Sequence, residues 1–382
     1  MLFCFNKTFN KENTPSHTGL QGPKAKHHIK MYFPLEIWEH IFLYADPVTL
    51  TNLKTVSKNW NVIINKILKE HDHWYKICKR EIPQHLWSTL CETLNPKKFY
   101  TEFHEKYDAT IWMAMYKLWI KCKNIMKWST QSKYFEPLLK TCPTENITCV
   151  DTSGNKKNVV CISCSINDHI SFWDVKSKNL IDKTRGELIC TSYSYCYIAM
   201  HNTIVTEGSI PRTIYEFRTN SIVAIGADNN KVLFYTEEGL LVNLRLNTSN
   251  QNDVNLTHIL PPNIEIRRYY IFKPHTVVCI AENGNLGFLV QEKEWIVHNL
   301  FPILHGTPTA VLVYAHVLIV GLDSGNVHIY HINNFETINF NTIRSKKLTL
   351  DFTAVISLNI IVHVEEFLVV SYEKKIYIVK FT

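Results

Sequence analysis

Apolar positions along this chain change their period part-way, and the change divides it in two. From Phe33 to Trp74 they recur every three or four residues, the spacing of one helix face. Ile37 and Ile41 stand four apart with Trp38 and Phe42 beside them. Leu50, Leu53 and Val56 follow at spacings of three, and Trp60, Ile63, Ile64 and Ile67 make a third stripe. Start signals cut the stretch into three short helices. Pro34 is placed as a first helical residue, where its missing N–H costs nothing, Asp46-Pro47 pairs a cap with a proline, and Ser57 is the next N-cap. Asp72 caps a further turn bearing Trp74, Ile77 and Cys78, which Pro83 closes. Leu86, Trp87, Leu90 and Leu94 lead to a break at Asn95-Pro96. From Asp108 a longer helix is expected, with Ile111, Met115, Leu118, Trp119, Cys122 and Met126 on one face and Lys117, Lys121, Lys123 and Lys127 between them.

From about Glu145 the spacing falls to two. Short runs of β-branched and aromatic residues, such as NVVCISCS, KVLFYT, VLIVGLD and FLVVSYE, are broken by Asn, Asp, Gly and charged turns. With no helical stretch between them, so many short strands imply a sandwich, a barrel or a propeller.

Residues 34–77 also match a known order of motifs: Pro-Leu-Glu-Ile, Ile-Phe-x-Tyr, Asp-Pro, spaced leucines, Val-Ser-x-x-Trp and Trp-Tyr-Lys-Ile. In this the stretch resembles the F-box, departing mildly at Phe33, where that family prefers Leu, and at Ser57, where it often has Cys. The resemblance implies an adaptor-binding face formed or supported by Pro34, Leu35, Ile37, Ile41, Leu50, Leu53, Val56 and Trp60. It also implies two partners: the Skp adaptor and, through it, a cullin-RING ligase. In the second half Asn167 to Val175 resembles the end of a WD repeat, with a Trp173-Asp174 pair. Weaker echoes follow at Glu238-Gly239, Glu282-Asn283-Gly284, Asp323-Ser324-Gly325 and Glu373-Lys374, each a turn between two strands. Only one Trp-Asp pair is present, so the repeats are degenerate. Seven blades are expected, with six or eight as alternatives and a β-sandwich as the rival fold. The run Lys375–Phe381 is placed to close the ring with a strand from the propeller's start, since an open end would leave edges exposed.

The expected class is therefore multidomain, α plus all-β. A disordered tail occupies 1–31, the F-box 32–80, a helical linker 81–144 and a WD-like propeller 145–382. The tail holds Lys11-Glu12-Asn13, which looks like a KEN-type degradation signal, and Thr14-Pro15, a candidate proline-directed phosphosite.

Charge sharpens this picture. Residues 1–135 carry 20 Lys and Arg against 11 Asp and Glu, a net of +9, and the other 247 residues carry 21 against 23, a net of −2. A basic front half suits nucleic acid, a membrane surface or an acidic protein. The resemblance favours the third. No apolar run is long enough to span a bilayer and the first residues lack a secretory h-region, so no membrane role is expected and localisation reads as cytoplasmic, nuclear or both. Eleven cysteines in that setting read as reduced thiols.

Catalytic chemistry is not indicated. There is no phosphate loop, nucleophile elbow or zinc-protease helix motif. Cys161 and Cys164 form a lone CxxC in a strand, where residues three apart point to opposite faces. His71 and His73, two apart, would not share a helix face, and His27-His28 lies in the tail. No enzyme, cofactor or metal is expected. The reading is the substrate-recognition subunit of an SCF-type cullin-RING ubiquitin ligase. A protein substrate would be held where the propeller loops converge on the central channel, at residues the sequence does not identify. Arg185, Arg212, Arg218, Arg245, Arg267, Arg268 and Arg344 fall in that half without matching a family motif. Two alternatives stay open: a propeller scaffold bound to the adaptor without ubiquitylation, and a nucleic-acid binder using the basic helix 108–127.

Overall fold

Asp46 supplies the acceptor that a helix start needs. Its carboxylate takes the amides of Val48 and Thr49 at 3.0 Å each, and Pro47 opens the helix behind it. Ser57 caps in the same way, accepting from the Trp60 amide at 3.1 Å. The resulting helices are α1 (Leu35–Leu43), α2 (Pro47–Leu53) and α3 (Lys58–Glu70). Pro34 differs from its expected place by one residue. It stays extended, with ψ 151°, while its carbonyl already accepts from the Ile37 and Trp38 amides, which is the geometry of the residue before a helix. This computed structural model describes residues 33–70, 73–94, 109–137, 146–152, 159–164, 169–185, 188–192, 195–200, 203–206, 212–216, 222–228, 231–245, 253–259, 264–272, 276–290, 294–335, 337–363 and 366–382. The tail motifs, Asp72 as a cap, the Asn95-Pro96 break, Asp108 and Arg218 lie outside them.

Beyond α3 come α4 (His73–Glu81), a 3-10 turn at Gln84–Leu86, α5 (Trp87–Leu94) and α6 (Ala109–Lys123). Their shared core is aromatic. Trp112 of α6 meets Tyr75 and Trp87 edge-on, with centroids 5.0 and 5.4 Å away, and the Trp87 indole donates to the Ile82 carbonyl at 3.0 Å.

The second half forms six antiparallel sheets of four strands each: blade I (147–185), blade II (188–216), blade III (222–258), blade IV (266–299), blade V (308–349) and blade VI (357–381 with 130–135). Each blade's first strand lies beside the first strands of its two neighbours. The last of these, Ser357–His363, returns to the first, Ile147–Thr152, so the ring is closed. Seven blades were expected, and six are present among the described residues. At about 42 residues per blade, chain from 130 to 382 is used up by six.

The linker expectation also needs correcting. The span 81–144 is not helical throughout, because Thr130–Phe135 is a strand. It pairs antiparallel with Ile376–Phe381, from Thr130 opposite Phe381 to Phe135 opposite Ile376, and so completes blade VI with chain from the propeller's start. Covering that edge is the reason for the detour.

The ring has two unlike ends. The turns that contain Gly239, Gly284 and Gly325 lie at the end where each blade's first strand begins. Gly284 approaches Thr307 and Pro308 at the start of blade V, and Gly325 meets the connection at Asp351 and Thr353. At the opposite end the helices dock. Trp119 of α6 lies 5.2 Å from His316 in the first turn of blade V, and Lys121 stands 5.6 Å over the Phe367 ring. The Lys346 ammonium donates to the carbonyls of Trp128 and, at 3.5 Å, Ile125. One continuous apolar core runs from Phe42 through Trp112 and Trp119 to Val317, Phe367 and Phe381.

Candidate functional site

Helix α1 sorts its apolar residues onto two sides. Trp38 and Phe42 turn inward and meet Trp60 of α3, with centroids 4.7 and 5.1 Å away, and Leu50 of α2 is wholly buried beneath them. Ile37, Ile41 and Tyr44, at spacings of four and three, stand on the other side and are exposed, Tyr44 by 90%. Phe33, Leu35, Val48, Val56 and Val62 are exposed on the same small helical unit. A folded chain does not usually leave so many large apolar side chains in water on so few residues, and such a concentration marks a surface that another protein covers.

The eight residues taken from the motif order therefore divide. Pro34, Leu35, Ile37, Ile41 and Val56 are exposed; Leu53 and Trp60 are partly buried against the core; Leu50 is core. Leu50 supports the surface from below and does not form it. Phe33, Tyr44, Val48 and Val62 were not singled out, although the period of α1 puts Tyr44 in line with Ile37 and Ile41.

The unit's rigidity comes from its ends. Burial opposes ionisation of Asp46, but the Thr49 hydroxyl and the amides of Thr49 and Val48 outweigh it and hold the carboxyl below its usual range. Glu39 and Lys66 form an ion pair at 3.0 Å that ties α1 to α3 at the surface.

Residues 33–80 match the F-box-like family model. This stretch is an F-box-like domain. Behind it, the six sheets make the C-terminal region a β-propeller. No curated protein matches the chain. Among solved structures it is similar to the β-propeller domain of Cps50 (Swd1) from Myceliophteria thermophila, at 11% identity and TM-score 0.40 over 62% of this chain and 83% of that one. A likeness at that level carries no argument, and the blade count comes from this chain's own strand pairing.

At the far end of the propeller, Arg268 of blade IV donates to the carbonyls of Ile356 at 2.9 Å and Thr148 at 3.1 Å. Ile356 stands just before blade VI and Thr148 in blade I, neither of which neighbours blade IV, so the guanidinium reaches across the central channel. Arg267 beside it is exposed, and Arg344 is exposed in the loop before Lys346, at the helix-bearing end. The strands carry Arg185, Arg212 and Arg245 without a description of their side chains. Among these arginines, those with described side chains are Arg267 and Arg268 at the far end and Arg344 at the helix-bearing end. Cys161 and Cys164 share a strand three residues apart. Cys78, Cys91, Cys122 and Cys279 are free and buried, and burial pushes each thiol up to about 12, where it is unreactive. No helix among the described residues is long and apolar enough to cross a membrane.

Proposed function

We propose that this chain is the substrate-recognition subunit of an SCF-type cullin-RING ubiquitin ligase, acting in the cytoplasm, the nucleus or both. F-box domains in general bind Skp-type adaptors and propellers bind proteins, so the architecture is that of a recognition adaptor. The observation that carries the finer reading is the contrast within the helices. Ile37, Ile41, Tyr44 and Val56 are exposed, while α6 is packed between α4 and α5 on one side and the propeller on the other, and among the described residues α4 to α6 leave no comparable apolar surface.

The mechanism is positional. The F-box-like domain holds the adaptor, and α4 to α6 fix the propeller at a set angle to it. A substrate on the propeller is then held near a ubiquitin-charged enzyme, which raises the effective concentration of its lysines. No side chain of this protein has to take part in bond making. A nucleic-acid role for the helix 108–127 is disfavoured, because Trp112, Met115, Leu118, Trp119 and Cys122 commit most of its surface to the core.

The test is co-expression of the full chain with a Skp adaptor and a cullin. Recovery of all three, lost on changing Ile37→Asp with Ile41→Asp while the melting temperature holds, supports the reading. Adaptor without cullin points to a scaffold, and capture unchanged in the variant refutes the proposed face.

A further inference from the structure

The end of the propeller that faces away from the helices is acidic and aromatic in alternation. The turn of blade III carries Glu237 and Glu238, that of blade IV Glu282, that of blade V Asp323 and that of blade VI Glu373. Glu265, at the start of blade IV, is bonded through its carbonyl to the Glu282 amide at 3.0 Å and joins the same arc. All six carboxylates are exposed, and none is in an ion pair among the described residues. Two phenylalanines sit between them. Phe301 lies in the connection from blade IV to blade V, and Phe352, 87% exposed, in that from blade V to blade VI. Four adjacent blades therefore present carboxylates with apolar rings between.

The cations on this face are fewer than the carboxylates. Lys375 is held by Asp351 at 3.1 Å and Arg268 is spent on two carbonyls across the channel, while Arg267, exposed beside it, and Lys374, next to Glu373, still leave the six carboxylates in excess. An arginine so engaged is a poor receptor for a phosphate, which needs a free fork of donors. Uncompensated negative potential attracts and orients a positively charged partner, and exposed rings give it apolar anchorage.

We propose that this arc, from the turn of blade III to that of blade VI, docks a basic protein segment in which lysines or arginines alternate with apolar side chains. The proposal rests on the recognition role above and names its substrate class. Such a segment spans the arc with its cations against Glu237, Glu238, Glu265 and Glu282. Its apolar residues lie over Phe301 and Phe352.

The full chain, purified and assayed both alone and mixed with a Skp adaptor, is titrated by fluorescence anisotropy with a labelled peptide of Lys-Arg pairs separated by leucines. Its comparators are the same peptide with Glu for each cation, one with Ser for each Leu, a phosphoserine peptide and a DNA duplex. The basic peptide is expected to bind best and to weaken with salt. Glu237→Lys, Glu238→Lys, Glu265→Lys and Glu282→Lys together should weaken it by ~30-fold or more, and Phe352→Ser by roughly fivefold. The milder quadruple change to Gln, which removes charge without reversing it, should fall between. Tighter binding of the phosphoserine peptide or the duplex overturns the proposal. So does binding unchanged in the quadruple variants, or a Ser-substituted peptide that binds as well as the Leu one. Adaptor capture is read on the same samples. Its loss with peptide binding intact sinks the ligase reading alone, whereas intact capture with no basic-peptide binding sinks this inference alone.

Discussion

Helices α1 and α6 carry the same kind of apolar spacing and meet opposite fates. In α1, Ile37, Ile41 and Tyr44 form a line that nothing among the described residues covers, while Trp38 and Phe42 serve the core. In α6, Met115, Leu118, Trp119 and Cys122 form a similar line and are buried, as are Trp112 and Tyr116 on its flank. One helix has a side left over, and the other is walled in by α4 and α5 on one flank and blades V and VI on the other. Periodicity shows that a helix has an apolar face. It does not show whether the neighbour that buries the face belongs to the same chain.

Two substitutions would break the comparison. Trp112→Ala, which opens a cavity between Tyr75 and Trp87, should cost about 3–5 kcal/mol and loosen α4 to α6 together. Chemical denaturation that shows a loss below about 1 kcal/mol would mean that α6 is not the keystone described. Ile37→Asp with Ile41→Asp, on the open face of α1, should leave the unfolding midpoint in place. It should weaken adaptor binding by about 3 kcal/mol, roughly 150-fold, by calorimetric titration. Leu50→Asp is the wrong probe for that purpose, since a charge placed in a fully buried site unfolds the unit before any partner is consulted.

Much of this was legible in the sequence. The caps at Asp46 and Ser57, the period-three and period-four stripes and the switch to period two all reflect local chemistry, and the structure follows them. The closing role of Lys375–Phe381 was readable because a ring cannot leave an edge open. Two features were not. The partner of that closing strand, Thr130–Phe135, follows a helix and has five of its six residues in solvent or nearly so, hence no alternating signal that separates it from a loop. The blade number was obscured because only blades III, IV and V carry a turn glycine, at Gly239, Gly284 and Gly325, while the matching turns of blades I, II and VI have none, so counting by turns alone could not fix it. The burial of Leu50 was hidden for a different reason: spacing places it with Leu53 and Val56, and only the packing of α2 on α3 ranks the three by depth.

A third prediction tests whether the propeller is as rigid as its helical end. Gly325 has φ +80°, and an added Cβ would collide with the Asp351 carbonyl oxygen and meet that of Thr353 at 2.7 Å. Both the backbone conformation and the space exclude a side chain, and the contacting atoms are backbone that cannot swing away. Gly325→Ala should cost about 1–3 kcal/mol, seen as a lower unfolding midpoint with adaptor capture retained. A variant that melts with wild type would show that the connection between blades V and VI yields freely, and the far arc with it.

The smallest expected effect lies where the two regions meet. His316 stands 5.9 Å from His331 and 6.3 Å from His85, ring to ring, with Trp119 over it. Burial, then His331 and His85, lower its pKa from 6.5 to about 4, and burial and Lys123 lower that of His331 as well. A histidine with a depressed folded pKa is neutral in the folded chain while the unfolded chain takes up a proton. Its contribution is therefore whole above pH 6.5, declines as pH falls toward 4 and changes no further below that. The junction between α6 and blade V should weaken on acidification through that window. Hydrogen exchange should report the weakening first in α6 and in the turn at His316, with the surface of α1 unaffected. His316→Phe, which keeps the ring against Trp119 and cannot be protonated, should flatten most of the slope. If it leaves the slope intact, the acid sensitivity belongs elsewhere and the docking of the helices on the propeller does not depend on a neutral His316.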